Sequence, residues 1–277
     1  MPKPKPLKMS FMIFCVMLLA GQMAAVTPTR REMAMAGAGS RPAFSFLYDG
    51  VRFRSLQSNW KYAESRKRLD SGRRQVTRTY LDPRTGLEAR CVSIEYKDFP
   101  AVEWTVFLTN KGKAKSPILK SIQGVDMRLP EEAGGDAVLH WMRGDDNSGQ
   151  SFAPREKAFP PGRPDSITLA PNGGRSSDGV APFFNAAWKG GGVAVAVGWT
   201  GQWQATAARE GDGAFYLWAG QQLTNLALNP GETVRTPRIM LVFWEGTDPL
   251  RGSNLFRQVL IRHVLPRRNG ELVYSPI

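Results

Sequence analysis

Residues 87–108 read LEARCVSIEYKDFPAVEWTVFL. In the first half Val92, Ile94 and Tyr96 fall on one face. In the second half Val102, Trp104, Val106 and Leu108 share one side while Glu103, Thr105 and Phe107 take the other. A period of two is that of a β-strand, whose successive side chains point to opposite faces. The break at Lys97–Pro100 makes the two halves antiparallel neighbours. Upstream, Val76 to Tyr80 repeats the pattern ahead of a turn at Asp82–Gly86. Earlier still, Phe44, Phe46 and Tyr48 alternate up to the hairpin signal Asp49-Gly50, with Val51 and Phe53 on the return strand.

Downstream of this meander, Asn110–Ser116 is a loop and Ile118–Leu129 forms the next strand. Periodicity then fails from Pro130 to Arg175, where Gly, Pro, Asp, Asn and Ser dominate. A structureless stretch of that length inside a domain is uncommon and often functional. Strands resume at Phe183–Trp188, Gly192–Trp199, Trp203–Arg209, Phe215–Ala219, Thr224–Leu228 and Arg238–Trp244. Only the end is helical: Asp248 caps, Pro249 suits the first turn, and Phe256, Val259, Leu260 and His263 recur at helical spacing until Pro266. The fold class is therefore all-β, a large antiparallel β-sandwich (supersandwich) with one C-terminal α-helix. The sandwich domain spans 44–247, the helix 248–266, and a tail 267–277 follows.

The amino terminus reads differently. Lys3, Lys5 and Lys8 precede the apolar run Met9–Ala20 and the small or neutral residues Gly21 to Ala25, which is a secretory signal peptide pattern over residues 1–25. The run is shorter than the roughly 20 residues a membrane-spanning helix needs. Export to the periplasm or the medium is the expectation. Residues 26–43 lack periodic order and read as a flexible lead-in. Cleavage removes three lysines and no acids, lowering the net charge from +13 to +10, and removes Cys15, leaving Cys91 as the sole thiol. No intramolecular disulfide then forms, so a buried core must hold the domain. The basic stretch Arg52–Arg90 alternates with strand-forming residues and accompanies no nucleic-acid motif, so it reads as a solvated strand face and no nucleic-acid partner is expected.

The residues for several chemistries are missing. With two histidines, His140 and His263, and a lone mature Cys91 set inside a strand, neither a metal cluster nor an activated nucleophile is indicated, and no cofactor is expected. Gly190–Gly192 and Gly173-Gly174 lack the Lys-Ser/Thr of a phosphate loop and read as turns. Asp145 and Asp146 are adjacent, which is wrong for paired acid and base work, where two carboxyls flank one bond.

The run Leu169–Gly179, then Pro182–Asn185, then Gly191–Trp203, and the continuation Ala219–Leu226, Pro230–Glu232, Arg235–Trp244 and Asn254–Pro266 resembles the amino-terminal β-sandwich of bacterial α-galactosidase-like enzymes of glycoside hydrolase family 36. In that family the sandwich precedes a (β/α)8 barrel bearing both catalytic aspartates of a retaining reaction. A barrel needs about 250 residues, which the sandwich here has already used. The family's Lys-x-Asp segment is absent, since Lys97-Asp98 lacks the spacing, and no catalytic residue is carried over. The resemblance implies an accessory domain that does not catalyse alone, with a catalytic barrel, missing or separately encoded, as its partner. It also implies assembly into a homo-oligomer. A sandwich loop that leans over the barrel mouth would leave at His140–Asp146, where Trp141, Arg143, Asp145 and Asp146 are candidates to contact a galactoside or oligosaccharide. A stand-alone exported carbohydrate-binding or scaffolding sandwich is the alternative.

Overall fold

A computed structural model of the chain describes residues 26–39, 43–129 and 135–273. The signal-peptide segment 1–25 and the last four residues of the expected tail lie outside them. Helix α1 spans Arg30–Ala38; β1 (Ser45–Tyr48) and β2 (Val51–Arg52) form a hairpin; α2 (Phe53–Leu56) follows. The meander is β3 (Lys61–Arg68), β4 (Arg73–Leu81), β5 (Leu87–Tyr96) and β6 (Ala101–Asn110), after which the chain crosses over to β7 (Leu119–Arg128). Next come β8 (Ala137–Met142), β9 (Pro154–Phe159), β10 (Asp165–Leu169), β11 (Phe183–Trp188) and β12 (Gly191–Gly198). The second half closes with β13 (Trp203–Arg209), β14 (Phe215–Gln221), β15 (Asn225–Leu226), β16 (Thr233–Arg235), β17 (Arg238–Glu245) and α3 (Leu250–Val259), which runs into a π turn over Leu260–Val264. A small hairpin, β18 (Arg267–Arg268) and β19 (Glu271–Leu272), ends the described chain.

Two antiparallel sheets face each other. The smaller runs β10-β13-β14-β7-β1-β2 and the larger β3-β4-β5-β6-β17-β12-β11-β8-β9. Between them lies the main core, with Trp104, Trp203, Phe46, Phe159, Phe215 and Phe243 among the largest fully buried side chains. A second apolar layer covers the opposite face of the larger sheet, where Tyr96, Met240, Val242 and Trp244 meet Leu255 and Val259 of α3. Strands β12 and β17 are thus buried on both faces, so Val193–Val197 reads as an unbroken apolar run. The alternation in β5 points the other way round from its apolar appearance: Leu87, Ala89 and Cys91 enter the inter-sheet core, while Ile94 and Tyr96 face the helix layer.

Three stretches differ from the expectation. The return strand of the first hairpin stops after two residues, because Phe53 turns inward to stack on Phe46, centroids 4.7 Å apart, and to meet Trp60 edge-on at 5.1 Å. The turn itself holds, with positive φ at both Asp49 (50°) and Gly50 (78°). The supposedly structureless stretch 130–175 carries β8, β9 and β10; β9 and β10 are the outermost strands of their sheets. An edge strand packs on one side only, so polar and charged residues such as those in PREKAF (154–159) suit it.

The third difference is the lead-in, where α1 replaces the expected flexible segment. Its Thr29 hydroxyl accepts from the Glu32 amide and the Glu32 carboxylate accepts from the Thr29 amide, a capping box. Glu32 is fully buried; its carboxylate also accepts from the Glu245 amide at 3.1 Å and from Arg251 Nη2 at 2.8 Å. Burial pushes this carboxyl up, but the Arg251 guanidinium and the two amides outweigh that and hold it below the usual range. This ionic clasp ties α1 to the end of β17 and the start of α3.

The basic residues of β3 lie on an exposed edge strand, braced by Glu64 against Arg66 at 2.8 Å and Arg78 at 3.0 Å. Charge on an edge discourages pairing with a second chain. Among the described residues no helix is long and apolar enough to cross a membrane.

Candidate functional site

The order β12-β11-β8-β9 brings His140, Met142, Asn185 and Phe183 onto the outer face of the larger sheet, beside α3. A groove of about 680 Å³ opens there, walled on the helix side by Leu250, Ser253, Phe256 and Leu260. Its lining is mostly apolar, and Met142, Phe183 and Leu250 are 41%, 40% and 66% exposed. Phe183 leans on Phe256 with ring centroids 5.6 Å apart. Asn185 fixes the floor, donating to the Pro249 carbonyl at 3.0 Å and accepting from the Trp244 indole at 2.8 Å. Polar groups lining it include Arg155, His140 and Glu156, the last two with Nδ1 and Oε2 3.4 Å apart across the β8–β9 pair. This patch is of the kind that marks a docking surface.

Of the four residues picked from the sequence, Trp141 alone lines this groove. It stands opposite Phe184 in the sheet, so its half-buried ring packs on the inter-sheet core and touches the groove only at the rim. Arg143, Asp145 and Asp146 sit in the following loop and turn toward one another. Arg143 pairs with the Asp146 carboxylate, which also accepts from Ser148 Oγ at 2.6 Å and Ser151 Oγ at 3.1 Å. Asp145 accepts from the Asn147 amide and Ser151 Oγ, each at 3.0 Å. The Ser148 hydroxyl, helped by Ser151 and Arg143, holds the Asp146 carboxyl below its ordinary range. The polar groups of this loop are thus engaged with each other.

Among the described residues the groove's one acid is Glu156, whereas glycoside hydrolysis of the two-carboxylate kind needs a pair flanking the bond. Among the described residues no group of three or more His, Cys, Asp or Glu could hold a metal ion. Burial pushes the Cys91 thiol up to about 12, so it stays protonated inside the core. His263 is packed 4.9 Å from the Tyr96 ring and held by Asp98 at 2.9 Å. Glu103 is a residue whose environment the sequence did not signal. It is 4% exposed, its Oε2 has no hydrogen-bond partner among the described residues, and Arg238 Nη1 stands 3.8 Å away. Burial raises its carboxyl above the usual range despite the nearby Arg238 and Arg73.

Comparison with solved structures sharpens the fold. A variant of the glycoside hydrolase family 36 α-galactosidase AgaA from Geobacillus stearothermophilus, in complex with raffinose, matches with a TM-score of 0.60 at 17% identity, covering 81% of this chain and 33% of that one. The α-galactosidase from Lactobacillus brevis gives 0.56 at 18%, covering 82% and 33%. The chain has the α-galactosidase sandwich fold. This agrees with the resemblance read from residues 169–266. The sandwich fold spans about one third of the length of these enzymes. A second AgaA complex, with stachyose, matches over the same shares with a TM-score of 0.58 at 16% identity. No family model and no curated protein sequence matches the chain.

Proposed function

We propose that the chain is an accessory β-sandwich of an α-galactosidase-like glycoside hydrolase, exported by its amino-terminal segment and inactive by itself. Its work is to pack against a catalytic barrel, support assembly and contribute to the rim of the sugar site. The observation that carries this reading is the apolar groove between α3 and β8-β11, on a fold that elsewhere forms one third of α-galactosidases. Three exposed large apolar side chains around one groove suit a surface that another domain covers. The barrel would bring the two carboxylates that the groove lacks, and in this reading Trp141 would contribute its exposed edge to the rim of a galactoside site. The neighbours crystallised with raffinose and stachyose make an α-galactoside oligosaccharide the ligand to try first.

Incubating the purified chain with an aryl α-galactoside tests the catalytic half of the reading. No turnover is the expected result, and turnover abolished by substituting Glu156 would overturn it. Export is tested by expressing the full chain with a periplasmic reporter; retention in the cytoplasm contradicts it.

A further inference from the structure

The outward face of the smaller sheet carries a different kind of site. On β14, Phe215, Leu217 and Ala219 enter the core, so Tyr216 and Trp218 point outward. Their rings are parallel within 4°, with centroids 5.7 Å apart. They wall a depression of about 310 Å³ whose other side is formed by Arg52, Arg54, Gln123 and Asp126. The sheet register sets this grouping, because Trp218 stands opposite Asp126, and Gly220 opposite Gln123, across the β14–β7 pair. The hairpin turn at Asp49-Gly50 folds Arg52 back beside Leu47 to complete the wall.

The hydrogen bonds separate this site from the loop after β8. Tyr216 is anchored, its hydroxyl donating to Asp212 at 3.0 Å, and Arg54 donates to the Asp126 carbonyl at 3.3 Å. Among the described residues the Arg52 guanidinium, the Gln123 amide, the Asp126 carboxylate and the Trp218 indole N–H have no hydrogen-bond partner. One wall therefore offers a flat apolar surface, and around it stand both free donors and free acceptors. An anion would use the arginine and be repelled by Asp126. A polyol with an apolar ring face satisfies all of them, since each hydroxyl both donates and accepts. The volume lies at the small end of the range for ligand pockets, which suits one or two sugar rings.

We propose that this face binds a neutral pyranoside, with the CH face of the sugar on Trp218 and its hydroxyls on Arg52, Gln123 and Asp126. The site stands on the sheet opposite to the apolar groove, so it does not depend on a barrel docking there. Titrating the full chain with raffinose, maltose and cellobiose, and with an oligogalacturonate as the anionic control, followed by tryptophan fluorescence and calorimetric heat, tests it. At least one of the three saturates the wild-type chain. For that sugar, Trp218→Ala weakens binding at least tenfold, and Arg52→Gln and Asp126→Asn each weaken it severalfold with an unchanged circular dichroism spectrum. Should Trp218→Ala misfold, the Arg52 and Asp126 variants carry the test, because both side chains lie at the surface. The proposal is overturned if none of the sugars binds, or if the Arg52 and Asp126 variants bind as tightly as the wild type. Loss of binding in Trp141→Ala alone, or binding confined to an oligogalacturonate, overturns it equally.

Discussion

Substituting Arg251 by Ala strips the buried Glu32 carboxylate of its counter-charge. Removing one partner of a buried ion pair costs about 3–5 kcal/mol when the remaining charge stays uncompensated. Two features reduce that here: the Glu32 carboxylate keeps its hydrogen bonds from the Thr29 and Glu245 amides, and the Arg251 side chain is already 28% exposed. A loss of about 3 kcal/mol is therefore expected at neutral pH. For a chain of this size that lowers the thermal midpoint by roughly 6–12 °C. Glu32→Gln keeps the shape and leaves an arginine that is partly solvated, so its cost is smaller, about 1–2 kcal/mol. The pH dependence follows from the direction of the shift. Glu32 has a folded pKa below its ordinary value of 4.5, so its contribution is complete above the unfolded value and is lost as pH falls through the folded one. Urea unfolding of the wild type, Arg251→Ala and Glu32→Gln at pH 7, 5 and 3.5 measures both effects. The gap between wild type and Glu32→Gln should shrink toward the lowest pH, with m-values unchanged. A gap under about 0.5 kcal/mol for Arg251→Ala, or one that stays constant with pH, would refute the clasp as a stabilising element.

Glu103 behaves oppositely. Its folded pKa is raised, so the ionised group weakens the fold above that pKa, and the penalty vanishes below the unfolded value. Glu103→Gln should therefore match or exceed wild-type stability at pH 7 and lose that advantage by pH 4, read from urea midpoints. Gly252→Ala should lower the thermal midpoint, since the added Cβ would lie 2.4 Å from Trp244 Cδ1; overpacking of this kind costs about 1–3 kcal/mol. Cys91 should resist an aromatic disulfide reagent in the native chain and react once in 6 M guanidinium, because the thiol is buried and its pKa is raised to about 12.

The central meander was legible because packing one strand face against the core leaves its mark on every second residue: Val102, Trp104, Val106 and Leu108 do enter the inter-sheet core. Edge strands carry no such mark. In β9 only Phe159 is fully buried, so Pro154 to Ala158 look like loop although each pairs with β8. Helix α1 has no apolar stripe to betray it, but Thr29-x-x-Glu32 is a capping-box spelling that stands in the sequence. For the sites, sequence proximity was a poor guide. Arg143, Asp145 and Asp146 are neighbours in the chain and so could satisfy each other locally. The groups at Arg52, Gln123, Asp126 and Trp218 that lack a partner among the described residues come from three strands, β2, β7 and β14, and only the register assembles them. Their signal was limited to the Tyr-x-Trp spacing at 216–218, which puts two aromatic rings on one face of β14.

The clasp has a mechanical meaning. Glu32 and Arg251 are 219 residues apart in sequence, yet their side chains touch. Tension applied between the two ends of the described chain would pass from residues 26–32 straight into 251–273 and bypass both sheets. The clasp works as a shunt, and the strands between carry no load while it holds. In a pulling experiment the first event should therefore be a small extension at low force as α1 detaches, with the sandwich rupturing only afterwards. The Arg251→Ala chain should lack that first step and deliver force directly to β1 and β17.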